Sequence, residues 1–125
     1  MIDHLSLAVS DLARSTTFYE AVLAPLGLTP LVTRDGTVGF GKAYPEFWLN
    51  ARPNLARQPD GTGTHIALRA RDEEAVRAFH AAALAHGGRD DGAPGPRQAA
   101  MTTYYAAFIL DPDGNKLEAA NFPRK

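Results

Sequence analysis

The sequence contains no cysteine, which removes a disulfide framework, a thiolate metal site and a cysteine nucleophile from consideration. It also lacks a basic run. A formal net charge of −1 argues against an electrostatic surface for nucleic acid or membrane lipid. Long apolar spans are missing too, because Asp3, His4 and Asp11 interrupt the first hydrophobic stretch. The expectation is therefore a cytoplasmic protein with neither a membrane helix nor a signal peptide. What is present is a chain of 125 residues, 45% hydrophobic, enough for one domain with a buried core.

The most informative feature is an internal repeat. Displacing the sequence by 61 positions sets His65 on His4, Leu68 on Leu7, Asp72 on Asp11, Phe79 on Phe18, Leu84 on Leu23, Ala85 on Ala24 and Gly88 on Gly27. Each copy starts with strand periodicity. Leu5, Leu7 and Val9 share one face, leaving His4 on the other; Ile66, Leu68 and Ala70 likewise leave His65 opposite. Asp11 and Asp72 then stand where a helix N-cap belongs, and Gly27 and Gly87-Gly88 supply the stops. A helix covering each aliphatic face leaves both histidines on the uncovered side.

The first module, about 1–53, reads as a strand over 2–9, a helix over about 12–24, and strands over 28–33, 37–40 and 46–50. Asp35-Gly36 signals a hairpin between the first two of these three strands. The polar stretch 51–63 reads as a linker inside one 1–125 domain, since neither half is long enough to stand alone comfortably. The second module, about 64–125, repeats the plan: a strand over 64–70, a helix over about 72–86, and strands near 103–110 and 115–121. Between the last two, Asp111-Pro112-Asp113-Gly114-Asn115 is a strong turn signal. The punctuated segment 90–101, with Gly92, Pro94, Gly95 and Pro96, is expected to be a mobile loop acting as a lid.

Alternation places Glu118 on the same open side as His4 and His65. Two imidazoles and a carboxylate on one face suit a divalent ion such as Fe(II), Mn(II), Zn(II), Ni(II) or Co(II), and leave coordination positions open for substrate. A lone histidine near an N-terminus is usually a surface residue, but two at equivalent places in a repeat strengthen the case for a shared role. His80 and His86 have no histidine counterpart and fit a solvated helix surface.

Through His4, the Thr64-His65-Ile66-Ala67 stretch, the 111–115 turn and Glu118, the whole chain resembles the vicinal oxygen chelate superfamily. That group includes glyoxalase I, extradiol dioxygenases, bleomycin-resistance proteins and fosfomycin-resistance enzymes. The resemblance implies an α+β fold of paired βαβββ modules, a curved, cup-shaped mixed sheet with helices on its outer face. It further implies a homodimer and a metal that binds two adjacent oxygens of a small-molecule substrate. Members with four protein ligands place a carboxylate or histidine at the first-module counterpart of Glu118, where this chain has Trp48; Glu46 lies two residues earlier on the same face. A set of His4, His65 and Glu118 alone disfavours glyoxalase I activity and suits a dioxygenase or lyase-type reaction.

In the same picture Phe40 and Trp48 from the first module, and Tyr104 and Phe108 from the second, line the pocket. Tyr104 is the candidate proton-handling residue, with Tyr105 beneath the helix layer. Arg97 is the candidate cation of the 90–101 segment, suited to a substrate carboxylate or phosphate. Two functions of different class remain: a metal-dependent enzyme acting on a small oxygen-rich molecule, and a bleomycin-resistance-type binding protein without catalysis.

Overall fold

A computed structural model describes residues 1–123. The elements run in two matching sets. The first comprises β1 (Leu5–Val9), α1 (Leu12–Leu23) with a short 3-10 turn (Ala24–Leu26), β2 (Thr29–Arg34), β3 (Thr37–Gly41) and β4 (Pro45–Ala51). The second comprises β5 (Ile66–Arg69), α2 (Glu73–Ala85), β6 (Arg89–Gln98), β7 (Thr103–Leu110) and β8 (Lys116–Asn121). Each set makes one four-stranded mixed sheet, ordered β1-β4-β3-β2 and β5-β8-β7-β6. The architecture is the open, cup-like α+β fold of two βαβββ modules.

Both helices begin as the repeat predicts. The Asp11 carboxylate accepts from the Arg14 amide at 3.1 Å, and Asp72 accepts from the Ala75 amide at 2.8 Å. Each cap contributes about 1 kcal/mol by satisfying an otherwise unpaired N–H. Gly27 ends the first helical segment at φ 83°, a left-handed conformation that glycine adopts without steric penalty. The inward stripe of α1 is Phe18, Tyr19, Val22 and Leu23; that of α2 is Val76, Phe79 and Ala83. These stripes meet the aliphatic faces of β1, β4, β7 and β8 in one continuous core containing Val9, Leu49, Ile109 and Leu117. Side chains from both modules therefore bury one another's apolar surface.

The five-residue turn between β7 and β8 also fastens the modules together. Asp111 is buried and accepts hydrogen bonds from the Tyr19 hydroxyl at 2.6 Å, the Asp113 amide at 2.9 Å and the Asn115 amide at 2.8 Å. Asn115 Nδ2 donates to the Ala8 carbonyl at 3.2 Å, and Ser10 donates to Asp113 from its amide and its hydroxyl. Burial holds the Asp111 carboxyl above the usual aspartate value, partly offset by these donors. The Tyr19 hydroxyl lies well above its ordinary value, through burial first and then the Asp111 charge.

One segment departs from the sequence-based expectation. Residues 90–101 do not form a lid: most of them belong to β6, which pairs antiparallel with β7 from Arg89 opposite Leu110 to Gln98 opposite Thr103. Pro94 and Pro96 are tolerated because β6 is an outer strand, with a ladder on one side only. Register shifts between Asp90 and Gly92, and between Gly92 and Gly95, absorb the irregular residues as bulges.

Candidate functional site

His4 and His65 immediately precede β1 and β5, at equivalent ends of the two sheets. The central strands show the same correspondence. Trp48 in β4 pairs with Ser6, and Glu118 in β8 pairs with Ala67, so Trp48 and Glu118 hold matching places across the repeat. Phe47 and Leu49 on one side, and Leu117 and Ala119 on the other, are buried under the helices. Their neighbours Trp48 and Glu118 are thereby turned to the open faces.

On the second sheet the donors meet. His65 Nε2 lies 3.0 Å from Glu118 Oε1, with Glu118 almost fully covered and the imidazole about two-fifths exposed at 39%. Phe108, opposite Glu118 in the β7–β8 ladder, sets its ring edge-on to His65 at 5.8 Å between centroids. Tyr104 lies four residues before Phe108 on the same face of β7 and stacks flat on Phe122, with centroids 4.4 Å apart. Its hydroxyl is raised above the ordinary tyrosine value, by burial first and then by the Glu118 carboxylate, while Arg97 pulls it partly back. A phenol held in this way keeps its proton at neutral pH and can donate a hydrogen bond. Tyr105, on the other face, packs against the core beside Arg77.

On the first sheet His4 is exposed and hydrogen-bonded through Nδ1 to Asp3 at 2.7 Å. It shares a concave cavity of about 380 Å³ with Ser6, Arg34, Trp48 and Asn50. The Trp48 ring reaches across the sheet because Gly39 faces it; a Cβ at Gly39 would stand 2.9 Å from two of the ring's carbons. Phe40 is a correction. It was expected in the pocket, but it is fully buried in the core opposite Phe47, so Thr37 and Gly39 hold the open-face positions of β3.

Glu46 lies half-buried two residues before Trp48 and lines a different cavity of about 280 Å³ with His4, Lys42 and Leu68. Within one chain no three histidine, aspartate or glutamate side chains gather closely enough to hold an ion, among the described residues. The donor chemistry fits a divalent metal in two portions: His65 with Glu118, and His4 apart from them. His80 and His86 join neither portion. His80 is largely covered and bonds to Asp90 at 2.8 Å, and His86 bonds to the Ala82 carbonyl at 2.9 Å.

The Glyoxalase/Bleomycin resistance protein/Dioxygenase superfamily matches residues 1–119 by its family profile. The chain belongs to this superfamily. Its fold closely follows a glyoxalase/bleomycin resistance protein from Albidiferax ferrireducens T118, at TM-score 0.87 and 33% identity over 98% of this chain and 99% of the other. A glyoxalase I variant from Zea mays matches at TM-score 0.68 and 25% identity, over 94% of this chain and 44% of the longer plant protein. The fosfomycin resistance protein FosX from Listeria monocytogenes shares the fold at TM-score 0.71 and 19% identity, over 98% and 93% of the two chains. No curated protein matches the sequence.

Three features of this superfamily member escaped the sequence reading. Lys116 stands 4.9 Å from the Phe108 ring centroid while pairing with Asp91 at 2.9 Å. Its place two residues before Glu118 on the same strand was the available signal. Arg34 lies over Trp48, and Gly39 makes room for that ring. Neither has a sequence signature, because each depends on which strands become neighbours.

Proposed function

We propose that this chain is a divalent-metal-dependent enzyme whose cup is completed by a second copy, acting in the cytoplasm on a small oxygen-rich molecule. The observation that carries the reading is the division of donors: His65 and Glu118 touch on one sheet, while His4 holds the matching place on the other. A symmetric homodimer setting the first sheet of one chain against the second sheet of its partner would bring the three together. Two imidazoles and a carboxylate leave coordination positions open, and suit Fe(II), Mn(II), Zn(II), Ni(II) or Co(II). Such an ion supplies Lewis acidity to two neighbouring oxygens of the substrate.

The chain's own residues do the rest. Trp48 and Phe108 give the two walls apolar surface that orients a ligand and excludes water. Tyr104, on the same face of β7 as Phe108 and beside Glu118, is the proton-handling residue and a hydrogen-bond donor to the ligand. Trp48 at the counterpart of Glu118 withholds a fourth donor at that position. That arrangement favours a dioxygenase or lyase-type reaction over a glyoxalase I isomerisation.

The aromatic walls also support a second reading, a bleomycin-resistance-type binder that holds an aromatic ligand without chemistry. Metal analysis of the purified protein separates the two. Stoichiometric divalent metal that is lost in His65→Ala is expected for the enzyme; absence of metal affinity in the intact protein leaves the binder.

A further inference from the structure

Each module carries one arginine lying over an aromatic ring of its open face. Arg34, at the hairpin end of β2, places its guanidinium carbon 5.8 Å from the Trp48 ring centroid; Arg97, near the hairpin end of β6, stands 5.6 Å from Phe108. Both arginines lie on strands at the edge of their sheets, although the rings beneath them sit on different strands, Trp48 on β4 and Phe108 on β7. The arginines elsewhere behave differently. Arg14, Arg57, Arg71, Arg77 and Arg89 each lie within 3.9 Å of a carboxylate oxygen. Among the described residues Arg34 and Arg97 have no such partner. Arg52 and Arg69 lack one too, but no ring lies beneath them.

Arg97 is also seated with some care. Its guanidinium donates to the Ala93 carbonyl at 2.7 Å and to the Pro96 carbonyl at 3.2 Å, leaving its other N–H groups free. Gly92 and Gly95 provide the space, since a Cβ at either would stand 3.3 Å from one of the terminal nitrogens. The glycine-rich composition of β6 thus curls backbone around one cation. Ring stacking at an exposed position contributes no more than the rotamer freedom a long side chain loses on being fixed. Stacking alone therefore gives little reason for two unpaired guanidinium groups on concave faces.

Resting on the cup reading above, we propose that the substrate is a small oxyacid, a carboxylate or a phosph(on)ate. Its oxyanion is gripped by Arg97 from one wall and Arg34 from the facing wall. A planar guanidinium matches both anions in bidentate fashion, and stacking on Phe108 or Trp48 fixes its plane in advance. Phe108 is the shared neighbour of Arg97 and His65, and Arg34 lines the same cavity as His4. The anion is held next to the donor groups on both walls. Lys116 adds positive potential at Phe108, although Asp91 already balances its charge.

The test titrates benzoate, phenylphosphonate and the neutral benzamide into EDTA-treated full-length protein, followed by NMR shifts. At least one anion should bind ten or more times tighter than benzamide, and the one that does assigns the substrate to carboxylates or phosph(on)ates. Arg34→Gln and Arg97→Gln should each weaken that anion about tenfold, Arg97→Lys should recover part of the loss, and Arg71→Gln should change nothing. Near-UV circular dichroism verifies that each variant is folded. Benzamide binding as tightly as both anions, no anion binding, or unchanged anion affinity in the two glutamine variants would overturn the proposal. Using metal-free protein keeps the two readings separable. Arginine-dependent anion binding by a protein with no metal affinity would remove the metal reading alone, and metal affinity without such binding would remove this one.

Discussion

His65 Nε2 and Glu118 Oε1 stand 3.0 Å apart although 53 positions separate the residues in the chain. Parallel pairing of β5 with β8 brings them together, and the burial of Leu117 and Ala119 turns Glu118 toward the imidazole. A carboxylate beside a histidine is half of a metal site or the whole of an ordinary hydrogen bond, and substitution distinguishes them. His65→Ala and Glu118→Ala should each lower divalent-metal affinity at least tenfold, measured by calorimetry on demetallated protein, since lost supporting contacts alone commonly cost that much. His80→Ala, which removes only the bond to Asp90, should bind metal normally.

If His4 joins that pair from a second chain, two inactive variants should rescue each other. His4→Ala and His65→Ala, mixed one to one after mild unfolding and refolding, would form heterodimers with one intact cup and one doubly damaged cup. Random pairing restores about a quarter of the metal sites. A cup closed within one chain predicts none restored. Sedimentation of the unaltered protein should show a dimer at micromolar concentration, and a monomer under those conditions would require the intrachain arrangement.

The Tyr19–Asp111 bond joins α1 to the turn of the second module inside the core, so it should matter for stability more than for chemistry. Tyr19→Phe should cost about 2 kcal/mol at neutral pH, the range for a buried hydrogen bond to a charged acceptor. The pH dependence has a defined sign. Burial raises the folded-state pKa of Asp111, so its contribution favours folding below the unfolded value of 3.8 and is lost as pH rises through the folded value. Removing the Tyr19 donor raises the folded value further and enlarges that loss. The penalty of Tyr19→Phe should therefore shrink on acidification toward pH 4, as measured by urea melts at several pH values. A penalty independent of pH would show that the carboxylate charge is not involved.

The repeat made both helices, their aspartate caps and the equivalence of His4 with His65 legible, because those features depend on local spacing. Glu118 was legible for the same reason, given a five-residue turn at 111–115. Phe40 was misplaced because strand alternation gives a period but not which face the helices will cover; Phe40 and Phe47 settle that by pairing across β3 and β4. Segment 90–101 was misread because Gly and Pro weaken strand propensity, whereas an outer strand pairs on one side only and β7 supplied that ladder. The division of donors between two sheets could not be read at all. It follows from how the modules lie against each other, which periodicity does not encode.

The single tryptophan offers a direct probe of the first open face. Trp48 occupies the place that Glu118 holds in the second module, and its ring lies over Gly39, where a Cβ would stand 2.9 Å from its carbons and from Pro45 Cβ. Gly39→Ala should push the indole out of that slot or strain the β3–β4 ladder, at a cost of about 1–3 kcal/mol for an overpacked contact. Emission should shift to the red as the ring gains exposure. Restoring the space by Trp48→Phe in the Gly39→Ala background should recover part of the stability, since the smaller ring meets less of the added methyl. The double variant isolates the contact: coupling of at least 0.5 kcal/mol between the two sites is expected for side chains in direct contact. Additive losses with an unshifted emission spectrum in Gly39→Ala would mean that the indole does not occupy the space over Gly39, and that the first wall of the cup is shaped by other residues.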